Sequence, residues 1–86
     1  MTNARRKMLS DCIGRLEDTK ERIESILEAE TDVLENTPEN LRGTDRYEIG
    51  ENSCASMEEA IGSIDEAIES LQNIDGLDNI SYALKE

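Results

Sequence analysis

Between Cys54 and Leu71 the apolar side chains fall at 54, 57, 61, 64, 68 and 71. Steps of three and four alternate without a slip. That is the 3.5-residue repeat of a helix carrying one narrow oily seam. A strand would need a period of two, and a disordered segment has no reason to keep its apolar residues in phase. A single helix cannot bury such a seam alone, so the chain needs a partner for it, internal or external.

The internal partner lies upstream. Leu9, Cys12, Leu16, Ile23, Ile26 and Val33 form a second apolar stripe, widened by Ile13, Leu27 and Leu34 to about three positions in seven. The stripe is interrupted at Thr19, Lys20 and Glu30, and Gly14 sits inside the helix, where another backbone can approach. The expected first helix spans about residues 3–36. The segment TPENLRGT (37–44) breaks it. Pro38 disfavours helical geometry at Thr37 and suits a first helical position of its own. Thr37 is a candidate cap, Leu41 can tuck under the turn, Gly43 offers a left-handed stop, and Thr44 can cap the next helix.

The start of the second helix is a choice between two signals. Ser56-Met57-Glu58-Glu59 matches a capping box, and Gly50, Asn52 and Ser53 favour a late start. The seam, however, extends backwards in phase through Gly50 to Tyr47, and Asp45 suits a helix N-terminus. One helix over about 45–74 is therefore expected, stopped by Gly76. Residues 77–86, with Leu77, Ile80 and Leu84 on one side, read as a short third helix. The whole is one all-α domain: a long antiparallel helical hairpin with a short C-terminal helix. Eighty-six residues with 2% aromatics supply a thin core, and hairpins of this size need reinforcement. Self-association into a helical bundle, as a homodimer or higher oligomer, is expected to provide it.

The two cysteines fit this picture. With the chain turning near residue 40, Cys54 lies beside about residue 26 and Cys12 beside about residue 68. That puts the thiols on the order of 20 Å apart, too far for an intrachain bridge. No apolar run is long enough to span a membrane, and the basic start MTNARRKML leads into no apolar signal core. A cytoplasmic protein is expected.

Chemistry is sparse. Histidine is absent, which removes the usual general base and zinc ligand. No Gly-rich phosphate cradle, Ca²⁺ loop or activated nucleophile appears, and DGLDN (75–79) reads as a turn. The chain is expected to be no enzyme and to need no cofactor or metal. Charge is the stronger signal. The net charge is -12. Residues 1–22 carry six basic and four acidic groups, hence +2; residues 23–86 carry three basic and seventeen acidic groups, hence -14. From Tyr47 to Leu84 there is no Lys or Arg. Such a surface repels nucleic acid and anionic membrane and favours a basic protein partner. Glu58, Glu59, Asp65, Glu66 and Glu69 are the candidate contacts. Glu17, Glu21, Glu24 and Glu28 form a comparable row on the first helix. The one basic cluster, Arg5-Arg6-Lys7, is an alternative anion site, with Arg15 and Arg22 able to extend it.

The motifs Pro38-Glu39-Asn40-Leu41 and Glu59-Ala60-Ile61-Gly62-Ser63-Ile64-Asp65-Glu66-Ala67-Ile68 resemble those of small acidic helical-hairpin proteins of phages and mobile elements. The match covers about residues 17–74. No functional residues are assigned in that group. The resemblance implies a phage-like origin and, since small phage proteins often disable host defences, a host target; with the acidic span from Tyr47 to Leu84, the expected function is an inhibitor that occupies a basic, nucleic-acid-binding surface of a host protein. Two alternatives stand beside it: an oligomeric sponge that sequesters a cyclic nucleotide, and a purely structural adaptor.

Overall fold

A computed structural model describes residues 1–74 of the chain; the helix expected at 77–86, the stop at Gly76 and the DGLDN turn lie outside the described residues. Two long helices make up nearly all of it. Helix α1 runs Asn3–Glu35 and helix α2 runs Asp45–Gln72. A single 3-10 turn, Glu39–Leu41, lies between them. The helices pack antiparallel as a hairpin.

Both helices begin on a threonine. Thr2 Oγ1 accepts the Arg5 N–H at 3.2 Å, and Thr44 Oγ1 accepts the Tyr47 N–H at 3.3 Å. Each bond satisfies one of the orphan donors of a first turn. Asp45 and Glu48 add negative charge at the start of α2, where the helix dipole favours it. The capping box at Ser56 is not used as a start, because α2 passes through it without a break. Packing of the in-phase seam outweighs that local signal.

The seam of α2 is half-buried or buried at Tyr47, Gly50, Cys54, Met57, Ile61, Ile64, Ile68 and Leu71. On α1 the matching positions are Leu9, Ile13, Leu16, Lys20, Ile23, Leu27, Glu30 and Leu34. Here the expected stripe needs correction. Cys12 is exposed, and Ile26 and Val33 are 59% and 60% exposed. These three stand one position before Ile13, Leu27 and Leu34, so a seam phased on the latter turns them outward. Thr19 is likewise outside the seam, whereas Lys20 and Glu30 are true interruptions of it. The core is densest at the open end of the hairpin. There Ile13 and Ile68, each 8% exposed, pack with Leu9, Leu16, Ile64, Leu71 and Ile74.

Each interruption has its own solution. Lys20 reaches across to Asp65, with Nζ 2.7 Å from Oδ1. Glu30 faces Gly50. A Cβ on Gly50 would stand 2.8 Å from Leu34 Cδ2 and 3.0 Å from Glu30 Oε1. Gly50 therefore makes room for both. The close approach assigned to Gly14 is not there: a Cβ at Gly14 would meet nothing within 4 Å.

The turn also departs from expectation. Thr37 does not cap forwards; its hydroxyl donates back to the Val33 carbonyl at 2.7 Å. Gly43 does not adopt the left-handed backbone. Instead Arg42 closes α1. Its Nε donates to the Thr37 carbonyl at 3.1 Å and its Nη2 to the Glu35 carbonyl at 3.2 Å. The last turn of α1 contains no basic residue, so this guanidinium supplies the charge that a helix C-terminus favours. Leu41 lines the hollow under the turn with Val33, Leu34 and Tyr47, yet remains 46% exposed. Both thiols are free. Cys54 Sγ lies 3.9 Å from Thr31 Oγ1, five residues beyond the residue-26 level expected. Side chains lean toward the N-terminus of their own helix, so antiparallel partners meet at higher numbers than a count from the turn gives.

Candidate functional site: a hairpin with two unlike flanks

Once the seam is phased, every exposed residue falls on one of two flanks or on the outer ridges between them. Residues one and four places after Ile13 and its seven-residue repeats lie on one flank of α1; those one and five places before lie on the other. In an antiparallel pair, like flanks of the two helices share a side. The contacts agree. Lys20 and Asp65 meet with Glu17, Glu21 and Glu24 around a shallow hollow of about 240 Å³. Val33 and Arg46 border one hollow on the opposite side.

The first flank is acidic. It carries Glu17, Glu21, Glu24, Glu28 and Glu35 of α1 beside Glu48, Glu51, Glu58, Asp65 and Glu69 of α2. Lys7 and Lys20 are its cations. The hydrogen bond it donates to Asp65 raises the Lys20 amine above its ordinary value near 10.5; the charges of Asp65, Glu24 and Glu17 add to this and outweigh partial desolvation. Lys20 thus stays protonated and holds Asp65. The second flank has no carboxylate among the described residues. It presents Met8, Cys12, Ile26, Ala29 and Val33 on α1, and Ile49, Ser53, Ser56, Ala60, Ser63, Ala67 and Ser70 on α2. Arg15 and Arg22 share the helical position of Met8 and Ala29 on this flank and bend back to Asp11 and Asp18 on the ridge, at 3.1 and 3.3 Å.

Of the five carboxylates singled out from sequence, Glu58, Asp65 and Glu69 lie on the acidic flank. Glu59 and Glu66, seven apart, follow the outer ridge of α2 instead. All five are exposed, and Asp65 is already engaged by Lys20. The α1 row of Glu17, Glu21, Glu24 and Glu28 belongs to the same surface and was undervalued by reading α2 alone. The signal that finds it is the phase of the seam on α1. Arg5, Arg6 and Lys7 are consecutive helical residues and point about 100° apart. Arg6 turns toward the seam, with Nη1 donating to Asn3 Oδ1 at 3.4 Å, while Arg5 and Lys7 are exposed on different sides. The fold does not gather them into one pocket.

Among the described residues, no group of three Cys, Asp or Glu side chains is placed to hold a metal ion, and no helix is long and apolar enough to cross a membrane. Compared with family models, curated proteins and solved structures, the chain matches none.

Proposed function

We propose that this chain is a non-catalytic binding protein whose acidic flank occupies a basic, nucleic-acid-binding surface of another protein. The observation that carries the reading is the segregation of charge: ten carboxylates of both helices lie on one side, and the opposite flank has none among the described residues. Random solubilising charge would be spread over both. Those ten groups extend over about 32 Å of helix at 1.5 Å per residue. With Asp65 neutralised by Lys20, the rod carries a free negative charge roughly every 3.5 Å, against about 3.4 Å per charge along one nucleic-acid strand. A groove lined for a single strand would meet a similar charge density on a rigid surface. Such a groove would be steered to it at low salt. With the resemblance to small phage proteins, the partner class is a nucleic-acid-handling host defence enzyme in the cytoplasm.

The test is capture from a nuclease-treated bacterial lysate on the immobilised chain. Basic nucleic-acid-binding proteins should be retained, and a single-stranded oligonucleotide should release them. The triple variant Glu21→Lys, Glu24→Lys, Glu58→Lys changes only exposed residues and should lose capture while keeping its helicity. Retention by that variant, or indifference to the oligonucleotide, refutes the reading. The nucleotide-sponge alternative draws less support, since Arg5, Arg6 and Lys7 diverge around the helix.

A further inference from the structure

We infer that the carboxylate-free flank is a docking face for a second copy of this chain, forming a twofold four-helix bundle in which α1 of each copy lies on α2 of the other. Three observations converge on this occupant. The first is shape. The α1 half of the flank bears the large residues, with Met8, Ile26 and Val33 68%, 59% and 60% exposed. The α2 half bears Ile49 near the turn and then only small residues at three-four spacing: Ser53, Ser56, Ala60, Ser63, Ala67 and Ser70. A twofold axis along the hairpin sets the large row of each copy over the small row of the other, which is the reciprocity an isologous interface requires. The small row keeps the seam's own 3.5-residue repeat along α2, so a knob such as Ile26 of one copy meets small residues of the other.

The second observation is charge. A chain of net charge -12 repels its own copies. This flank is where two copies can meet without bringing carboxylates together, because it holds none among the described residues and its Arg15 and Arg22 are bonded to Asp11 and Asp18 on the ridge. Both acidic flanks remain outside. The third is area. The hairpin measures 63 × 15 × 13 Å. Its broad side is thus about 900 Å² before relief is counted, and a standard interface takes roughly 800 Å² per partner. Among the described residues the hairpin buries two hydrophobic side chains below a tenth exposure, Ile13 and Ile68, and a core that thin calls for added burial.

The level of each contact follows from the hairpin. Ile26 of one copy stands over Ser56 of the other, and Cys12 over Ser70. The mass of the full-length chain, measured by light scattering from about 1 to about 100 µM, should approach twice its 9.6 kDa. A single-chain mass throughout overturns the inference. Ile26→Asp, at an exposed position outside the hairpin core, should weaken association at least tenfold, whereas Glu59→Lys on the outer ridge should leave it unchanged. Equal masses for both variants would assign the contact to another face and overturn it too. A measurement on the native chain covers the case in which Ile26→Asp fails to fold. Alkylation of Cys12 should slow as the concentration rises, since the thiol is exposed in one copy and covered in two. A dimer whose Cys12 reacts at a constant rate would be built on some other surface.

Discussion

Three glycines interrupt these helices, and the structure separates them. Gly14 and Gly62 face open space, where an added methyl group would meet nothing within 4 Å; Gly50 faces Leu34 and Glu30 at 2.8 and 3.0 Å. Alanine in a helix interior is favoured over glycine by about 1 kcal/mol, mainly because the unfolded chain loses fewer conformations. Gly14→Ala and Gly62→Ala should therefore each stabilise the hairpin by about 1 kcal/mol. For a domain of this size that raises the thermal midpoint by roughly 4–8 °C. Gly50→Ala gains the same propensity and meets a contact that must open by several tenths of an ångström. The Glu30 carboxylate can swing into water cheaply. Leu34 cannot, because it is half-buried in the seam; it must leave its rotamer or part the helices. Overpacking of that kind costs about 1–3 kcal/mol. The net effect should lie between no gain and a loss of about 2 kcal/mol. Thermal unfolding followed by far-ultraviolet circular dichroism, at one fixed protein concentration, measures all three. If Gly50→Ala raises the midpoint as much as Gly14→Ala does, the helices are not in close contact at that level and the assigned seam is wrong.

Two further predictions concern single cations. Lys20 has a folded-state value raised by Asp65, so its contribution is complete below the ordinary value near 10.5 and is lost as pH climbs through the raised one. The gap in urea midpoint between the wild type and Lys20→Met should hold steady at neutral pH and change above about pH 10.5; a gap that never moves would show that the pair contributes nothing. Arg42→Ala removes two exposed bonds to the end of α1 and should cost about 1 kcal/mol, with faster amide exchange confined to the last turn of α1. Uniform exchange along both helices would show that Arg42 does not act as a local clasp.

The α2 seam was legible because Met57, Ile61, Ile64, Ile68 and Leu71 are spaced alike and no competing stripe runs beside them. On α1 two apolar rows lie side by side, Ile13-Leu27-Leu34 and Cys12-Ile26-Val33, separated by one residue. Composition cannot choose between them. The choice falls to the partner helix, because Lys20 can enter the inner row only where Asp65 waits, and Glu30 only where Gly50 leaves space. The acidic flank inherited that ambiguity. Its α2 members were visible as a run without Lys or Arg, but whether Glu17, Glu21 and Glu24 join them depends on which α1 row is inside. Arg42 was missed for a different reason. Its role needs the chain to turn back on itself, and nothing in TPENLRGT marks an arginine rather than Gly43 as the closing residue.

Periodicity alone dictated that this chain makes two long helices with an oily edge on each, since a 3.5-residue repeat suits no other regular structure. Capping by Thr2 and Thr44 was written locally as well, because a hydroxyl acts on an N–H three residues away. Which apolar row turns inward, and so which side is left acidic and which bare, was decided by the antiparallel pairing. Rotating a helix by one position hardly alters its own energy, but it decides what each side chain finds across the seam.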